Sequence, residues 1–173
     1  KTSNFKAIYV LSGDDEFLKN SYKKRLKMAM VGDDQMNYAY FEGKGIDVDA
    51  IIDFANTLPF FSEYRCILIE ESQWFKSGND KFLNYISDKP DSTKIIFVEK
   101  EIDKRSKLYK KVKDIGYIAE LNHPTDDELK NWAGNIINKA GKKITVSNMD
   151  FFIARVGNDM ERIKSELDKL LSF

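Results

Sequence analysis

The sequence predicts an α/β protein: a five-stranded parallel sheet with flanking helices, followed by a small domain of three helices. Three observations predict it. Cys66-Ile67-Leu68-Ile69 and Ile95-Ile96-Phe97-Val98 are short continuous apolar runs, the pattern of strands buried on both faces of a parallel sheet. Strand and helix signals alternate as far as Leu121. Beyond Asn122-His123-Pro124 the strand signals stop, and helical spacing of apolar residues takes over.

The elements follow in order. Ala7 to Leu11 reads as a strand that ends in the turn Ser12-Gly13-Asp14-Asp15. Phe17, Leu18, Tyr22, Leu26 and Ala29 then recur at helical spacing to about Met30. Tyr38 to Phe41 is a second strand, and Gly43-Lys44-Gly45 a turn. Asp47 caps a helix carrying Val48, Ile51, Ile52 and Ala55, with Phe54 beside them. Gly78-Asn79-Asp80 opens a helix with Phe82, Leu83, Tyr85 and Ile86, and Lys89 to Ser92 is a loop. A helix from about Ser106 has Leu108 and Val112 on its apolar stripe and ends at Gly116. Tyr117 to Leu121 is the last strand. In the helical part, Thr125 to Glu128 is a capping box ahead of Leu129, Trp132, Ala133, Ile136, Ile137 and Ala140. Ser147 is expected to cap a second helix with Phe151, Phe152, Ile153 and Val156. Asn158 is expected to cap a third, with Met160, Ile163, Leu167, Leu170 and Leu171 as its apolar face.

Composition narrows the function classes. The chain has 173 residues, 42% hydrophobic and 32% charged, the make-up of an ordinary soluble protein. Lys plus Arg and Asp plus Glu both number 28, so there is no basic excess to drive sequence-independent nucleic-acid binding by this chain alone. The single cysteine, Cys66, excludes an internal disulfide and fits a small buried residue in a reducing compartment. No apolar run approaches the roughly 20 residues that span a bilayer, and no signal-peptide pattern opens the chain. A cytoplasmic location without membrane attachment is expected. The first residue is Lys1 rather than Met, which points to a trimmed fragment.

Four stretches bear on function. Leu58-Pro59-Phe60-Phe61 lies between the Asp47-capped helix and the Cys66 strand. Pro59 disfavours a helical residue before it and has no backbone N–H to donate. Large apolar side chains on such a connection either fold back as core or form a patch for a partner. The turn at Gly13 is where a nucleotide-binding P-loop would lie. It is read as having one glycine, no P-loop lysine, and the carboxylates Asp14, Asp15 and Glu16, which would repel a triphosphate. Glu70-Glu71 ends a strand as a Walker B acidic pair does, or is a pair of solvated acids. Lys100, Lys104, Arg105, Lys107, Lys110, Lys111 and Lys113 form a basic run that is either a phosphate contact or a solvated helix face. His123, alone beside Pro124, reads as linker rather than catalyst or metal ligand.

Four longer motifs carry a resemblance: Tyr9-Val10-Leu11-Ser12-Gly13-Asp14-Asp15-Glu16-Phe17-Leu18; Leu58 to Arg65 leading into Cys66 to Ile69; Asp103 to Lys110; and Gly157 to Leu170. In this order, with a degenerate P-loop, they resemble the delta subunit of the bacterial DNA polymerase III clamp loader, over the whole chain. The resemblance implies an AAA+-like α/β domain without a functional P-loop at residues 1–123 and a helical lid domain at 124–173. The C-terminal collar domain of the family is expected to be absent. It implies a non-catalytic subunit of the polymerase holoenzyme, without ATPase activity of its own, cofactor or metal. That subunit binds the sliding clamp (the beta subunit) and helps open it for loading onto primed DNA. It further implies that Leu58, Pro59, Phe60 and Phe61 touch the clamp. Other loader subunits are the remaining partners. DNA is contacted only within the assembled loader, with Lys104, Arg105, Lys107 and Lys110 as possible DNA or loader contacts. The alternatives are an active AAA+ ATPase, favoured by Glu70-Glu71, and a nucleic-acid-binding module using residues 100–113.

Overall fold

The computed structural model describes residues 5–172, which divide into two compact units, the first ending at Asn122 and the second beginning at His123. The first unit is built on five strands: β1 (Ile8–Ser12), β2 (Tyr38–Glu42), β3 (Arg65–Glu70), β4 (Thr93–Glu99) and β5 (Tyr117–Glu120). They form one sheet in the order β2-β3-β4-β1-β5, with every neighbouring pair parallel. The predicted class is therefore the observed one. The apolar runs explain the order. β4 is buried along its whole length and β3 along all but its last residue, so both occupy the middle, whereas β2 and β5 keep exposed positions and take the edges.

The helices cover two faces. Alternate residues Ile8, Val10, Ile67, Ile69, Ile95 and Phe97 meet α2 (Val48–Asn56), α3 (Trp74–Ser77), α4 (Asp80–Tyr85) and α5 (Lys107–Ile115). Trp74, Phe75 and Phe82 pack around Phe97 on this face, with ring centroids 5.2–6.2 Å from it. The other residues, Leu11, Cys66, Leu68, Ile96 and Val98, meet Met30 and Val31 of α1 (Glu16–Val31). The short α3 was not legible as an element; Trp74 and Phe75 enter the core through it.

Two glycines are required by close approach. A Cβ on Gly13, which has φ 125°, would lie 2.2 Å from the Leu121 carbonyl oxygen. Gly116 ends α5 in an extended conformation rather than a left-handed one, and a Cβ there would lie 2.5 Å from the Ile8 carbonyl oxygen. Its role is contact with β1, not a left-handed helix cap.

The second unit contains α6 (Asp126–Lys139), α7 (Val146–Val156) and α8 (Met160–Leu171). Thr125 and Glu128 form the predicted capping box. Two cap expectations are corrected. Thr145, not Ser147, caps α7 by accepting from the Asn148 N–H at 3.2 Å, so the helix starts earlier. Asp159, not Asn158, caps α8 by accepting from the Arg162 N–H at 2.7 Å. The inward stripes change with them: Met149 and Ile153 are buried in α7, while Phe151 and Leu170, both expected to face inward, are 67% and 61% exposed. Among the described residues no helix is long and apolar enough to cross a membrane.

Candidate functional site

Residues 57–64 connect α2 to β3 across the N-terminal end of the sheet. The Thr57 N–H still reaches the Phe54 carbonyl, at 3.3 Å, and Pro59 then has no N–H with which to continue a turn or begin a strand. Leu58 and Phe61 are 77% and 96% exposed, and Phe60 about half. These residues are a surface patch; the alternative that they are core is excluded for the three large side chains. The rings of Phe60 and Phe61 touch edge to face at 4.4 Å. Phe61 has φ 51°, a left-handed backbone that a bulky residue adopts only when its neighbours impose it.

Those neighbours are polar and buried. The Asn37 side chain bonds both backbone groups of Phe60, at 2.7 and 2.8 Å. Arg65 donates from Nε to the Leu58 carbonyl at 3.2 Å and lays its guanidinium over the Phe54 ring at 4.3 Å. The Asn37 amide and the Met36 N–H hold the Asp34 carboxyl below the usual carboxylate range. Asn37 did not stand out in the sequence, and Arg65 did so only as the end of the Leu58–Arg65 motif, with no role read for it. Their partners lie 23 and 7 positions away, and no period or spacing announces such a bond.

The opposite, C-terminal end of the sheet holds the turn where a nucleotide would bind. Asp15 is buried; its carboxylate accepts from the Leu18 N–H at 2.8 Å, and its own N–H donates to the Leu121 carbonyl at 3.0 Å. Both amides are therefore turned to the protein itself. One expectation needs correction here. Lys19 follows Gly13 at the spacing of a P-loop lysine, with Leu18 and Asn20 in place of the second glycine and the hydroxyl residue. That lysine is almost wholly buried and pairs with Glu16 at 2.7 Å. The reading of Glu70-Glu71 as two solvated acids is also corrected. Glu70 is mostly buried and pairs with Lys23 at 2.5 Å, so a protein cation already sits on the Walker-B-like acid. Glu99, at the end of β4, accepts from the Ser72 hydroxyl and N–H and the Gln73 N–H; burial raises its pKa against those bonds.

Lys104 and Arg105 line an open crevice of about 580 Å³ beside Ser12 and Gly13. Its walls are of mixed sign and internally paired: Lys76 with Glu101, Lys104 with Glu120 at 2.6 Å, and Arg105 with Asp103 at 3.0 Å. Lys107 and Lys110 stand exposed on α5, outside that crevice lining. Lys104 and Arg105 lie at the opposite end of the sheet from the Leu58–Phe61 patch, and α5 carries the later part of the basic run back along the sheet. Among the described residues no group of three or more His, Cys, Asp or Glu side chains could hold a metal ion.

The fold thus defines a five-stranded parallel α/β unit and a three-helix unit, and in the first the turn after β1 is bonded to Leu18 and Leu121 of the protein itself. Residues 9–121 match the family described as DNA polymerase III, delta subunit, and the chain belongs to that family, a clamp-loader subunit of DNA replication. Two solved structures share the fold. The Bacillus subtilis DNA clamp loader delta protein (YqeN) aligns with a TM-score of 0.80 at 21% identity, covering 98% of this chain and 54% of its own. A DNA polymerase III gamma subunit-related protein from Thermotoga maritima aligns with a TM-score of 0.53 at 15% identity, covering 81% and 49%. The chain spans about half the length of these two structures. No curated protein matches it in sequence.

Proposed function

We propose that this chain is the clamp-handling part of its loader subunit and works by binding alone. Leu58, Phe60 and Phe61 enter an apolar pocket on the sliding clamp, and Pro59 shapes the connection that presents them. The observation that carries this reading is a cluster of large apolar side chains held in the open on an ordered connection. Burying each is worth about 1.5–3 kcal/mol before the costs of association. Aromatic anchors of this kind dominate many interfaces. Such a contact opens a ring only if the open ring binds it better than the closed one, so the wedge must fit a distorted clamp surface. Residues 1–123 supply the contact, and the helical part, 124–173, serves as the lid. The remaining partners are other loader subunits, together with DNA touched through Lys104, Arg105, Lys107 and Lys110 inside the assembled loader. The setting is the cytoplasm.

The test is binding to the sliding clamp of the same organism. Wild type is expected to bind, and the Phe60→Ala/Phe61→Ala variant, equally folded by circular dichroism, to lose at least about 30-fold in affinity. Equal binding by both would falsify the assigned contact.

A second reading, an active ATPase, is favoured by the spacing of Lys19 from Gly13. It requires a triphosphate to displace the Asp15 carboxylate, face Asp14 and Glu16, and pull Lys19 out of burial. Titration with magnesium and ATP separates the two readings, and tight binding would favour the enzyme.

A further inference from the structure

The partner-binding connection is held from behind by one amide side chain. Asn37 is wholly buried at the start of β2. Its Oδ1 accepts the Phe60 N–H at 2.8 Å, and its Nδ2 donates to the Phe60 carbonyl at 2.7 Å. A side chain thereby pairs both backbone groups of one residue, as an antiparallel strand would. The other Nδ2 hydrogen goes to Asp34 Oδ2 at 2.6 Å, while Asp34 Oδ1 accepts the Met36 and Asn37 N–H groups at 2.7 and 3.3 Å. The Asn37 carbonyl accepts the Cys66 N–H at 2.8 Å, which ties the same residue to the strand that follows the patch. Every polar atom of the Asn37 side chain is engaged, and the residue beyond its grip is the left-handed, outward-facing Phe61.

We propose that Asn37, backed by Asp34, is a positioning residue of the clamp contact, holding Phe60 and Phe61 in their docking conformation before the partner arrives. The inference rests on the reading of Leu58–Phe61 as that contact. Two adjacent phenylalanines on a loose connection would turn inward to escape water. On docking, they would have to be ordered again at the expense of affinity. A short paired segment at this point cannot come from sheet extension, because Pro59 lacks the N–H for a ladder. The Asn37 amide supplies the pairing instead, and leaves both rings free to face outward.

The experiment measures affinity of the full chain for the sliding clamp of the same organism, with hydrogen exchange of the Phe60 amide alongside. Asn37→Ala, with an unchanged circular dichroism spectrum, is expected to bind about 5- to 50-fold more weakly. The Phe60 amide is expected to exchange faster. In a Phe61→Ala background the same substitution is expected to cost clearly less, because one of the groups it positions is gone; a general structural defect would cost the same in both. If Asn37→Ala binds as wild type while Phe60→Ala/Phe61→Ala does not, the positioning role is overturned and the contact stands. If the phenylalanine variant binds as wild type, the contact reading fails and this inference with it. Should Asn37→Ala not fold, Asp34→Ala replaces it. A smaller loss in the same direction supports the role, and wild-type affinity overturns it.

Discussion

At the C-terminal ends of the strands the charged side chains satisfy one another; at the N-terminal ends, buried polar groups hold apolar ones in the open. The first end is where open α/β sheets usually bind their ligands. Here Lys23 sits on Glu70, Lys104 on Glu120 and Asp15 on the amide of Leu18. The second end is usually plain connection. Here Asn37 and Arg65 fix the backbone beneath Phe60, Phe61 and Leu58. The difference teaches that ion pairs internal to the protein can close the end where such sheets usually bind ligands, while buried hydrogen bonds hold apolar side chains exposed at the other end of the same strands. The balance of hydrogen bonds, rather than the outline of the fold, separates the two ends.

The largest expected effect is the loss of clamp affinity in Phe60→Ala/Phe61→Ala, with stability unchanged because both side chains are mostly in water. Gly13→Ala should do the reverse. Its Cβ would collide with the Leu121 carbonyl at a backbone angle unsuited to alanine, so a loss of about 2–4 kcal/mol is expected in urea unfolding. The folded fraction should still bind the clamp. A Gly13 variant that folds normally but binds poorly would erase the distinction between the two ends.

Smaller effects sharpen it. Glu70→Ala strands Lys23 and should cost about 1–2 kcal/mol, between the surface and buried limits for an ion pair. Lys23→Ala in addition should recover part of that loss in the same unfolding assay. At the N-terminal end, Lys89 donates to the carbonyls of Thr93 and Pro90, and burial pushes its pKa down to about 8. The unfolded lysine titrates near 10.5, so the unfolded chain binds the extra proton between these values and stability rises with pH there. Burial pushes the Cys66 thiol up to about 12 from 9.0, so above pH 9 the unfolded chain loses that proton first; this contribution opposes the Lys89 gain and outweighs it only toward pH 10. The unfolding free energy from urea titration should therefore climb by roughly 0.5 kcal/mol from pH 8 to 9, the Lys89 gain less the start of the Cys66 loss. Lys89→Met should flatten the climb, and Cys66→Ala should remove the later fall.

Much of this protein was legible because the relevant signals are local. The four-residue apolar runs at Cys66 and Ile95 marked central strands, and Pro59 beside two phenylalanines marked an unusual connection. Spacing misled where two neighbouring residues could cap the same helix. Asn158 and Asp159 are chemically alike at that position, and only the register of the packed α8 face selects Asp159. Glu70 looked solvated because its partner, Lys23, lies 47 positions away.

The sequence by itself determined the class of fold, the alternation of strands and helices, most of the caps and the apolar character of Leu58, Phe60 and Phe61. Those follow from side-chain period and backbone preference, which act over a few residues. Tertiary structure alone decided that those three side chains face water, that Lys23 is tied to Glu70, and that Asn37 holds Phe60. Each of these depends on hydrogen bonds and ion pairs whose partners meet only after the sheet has brought its strands side by side.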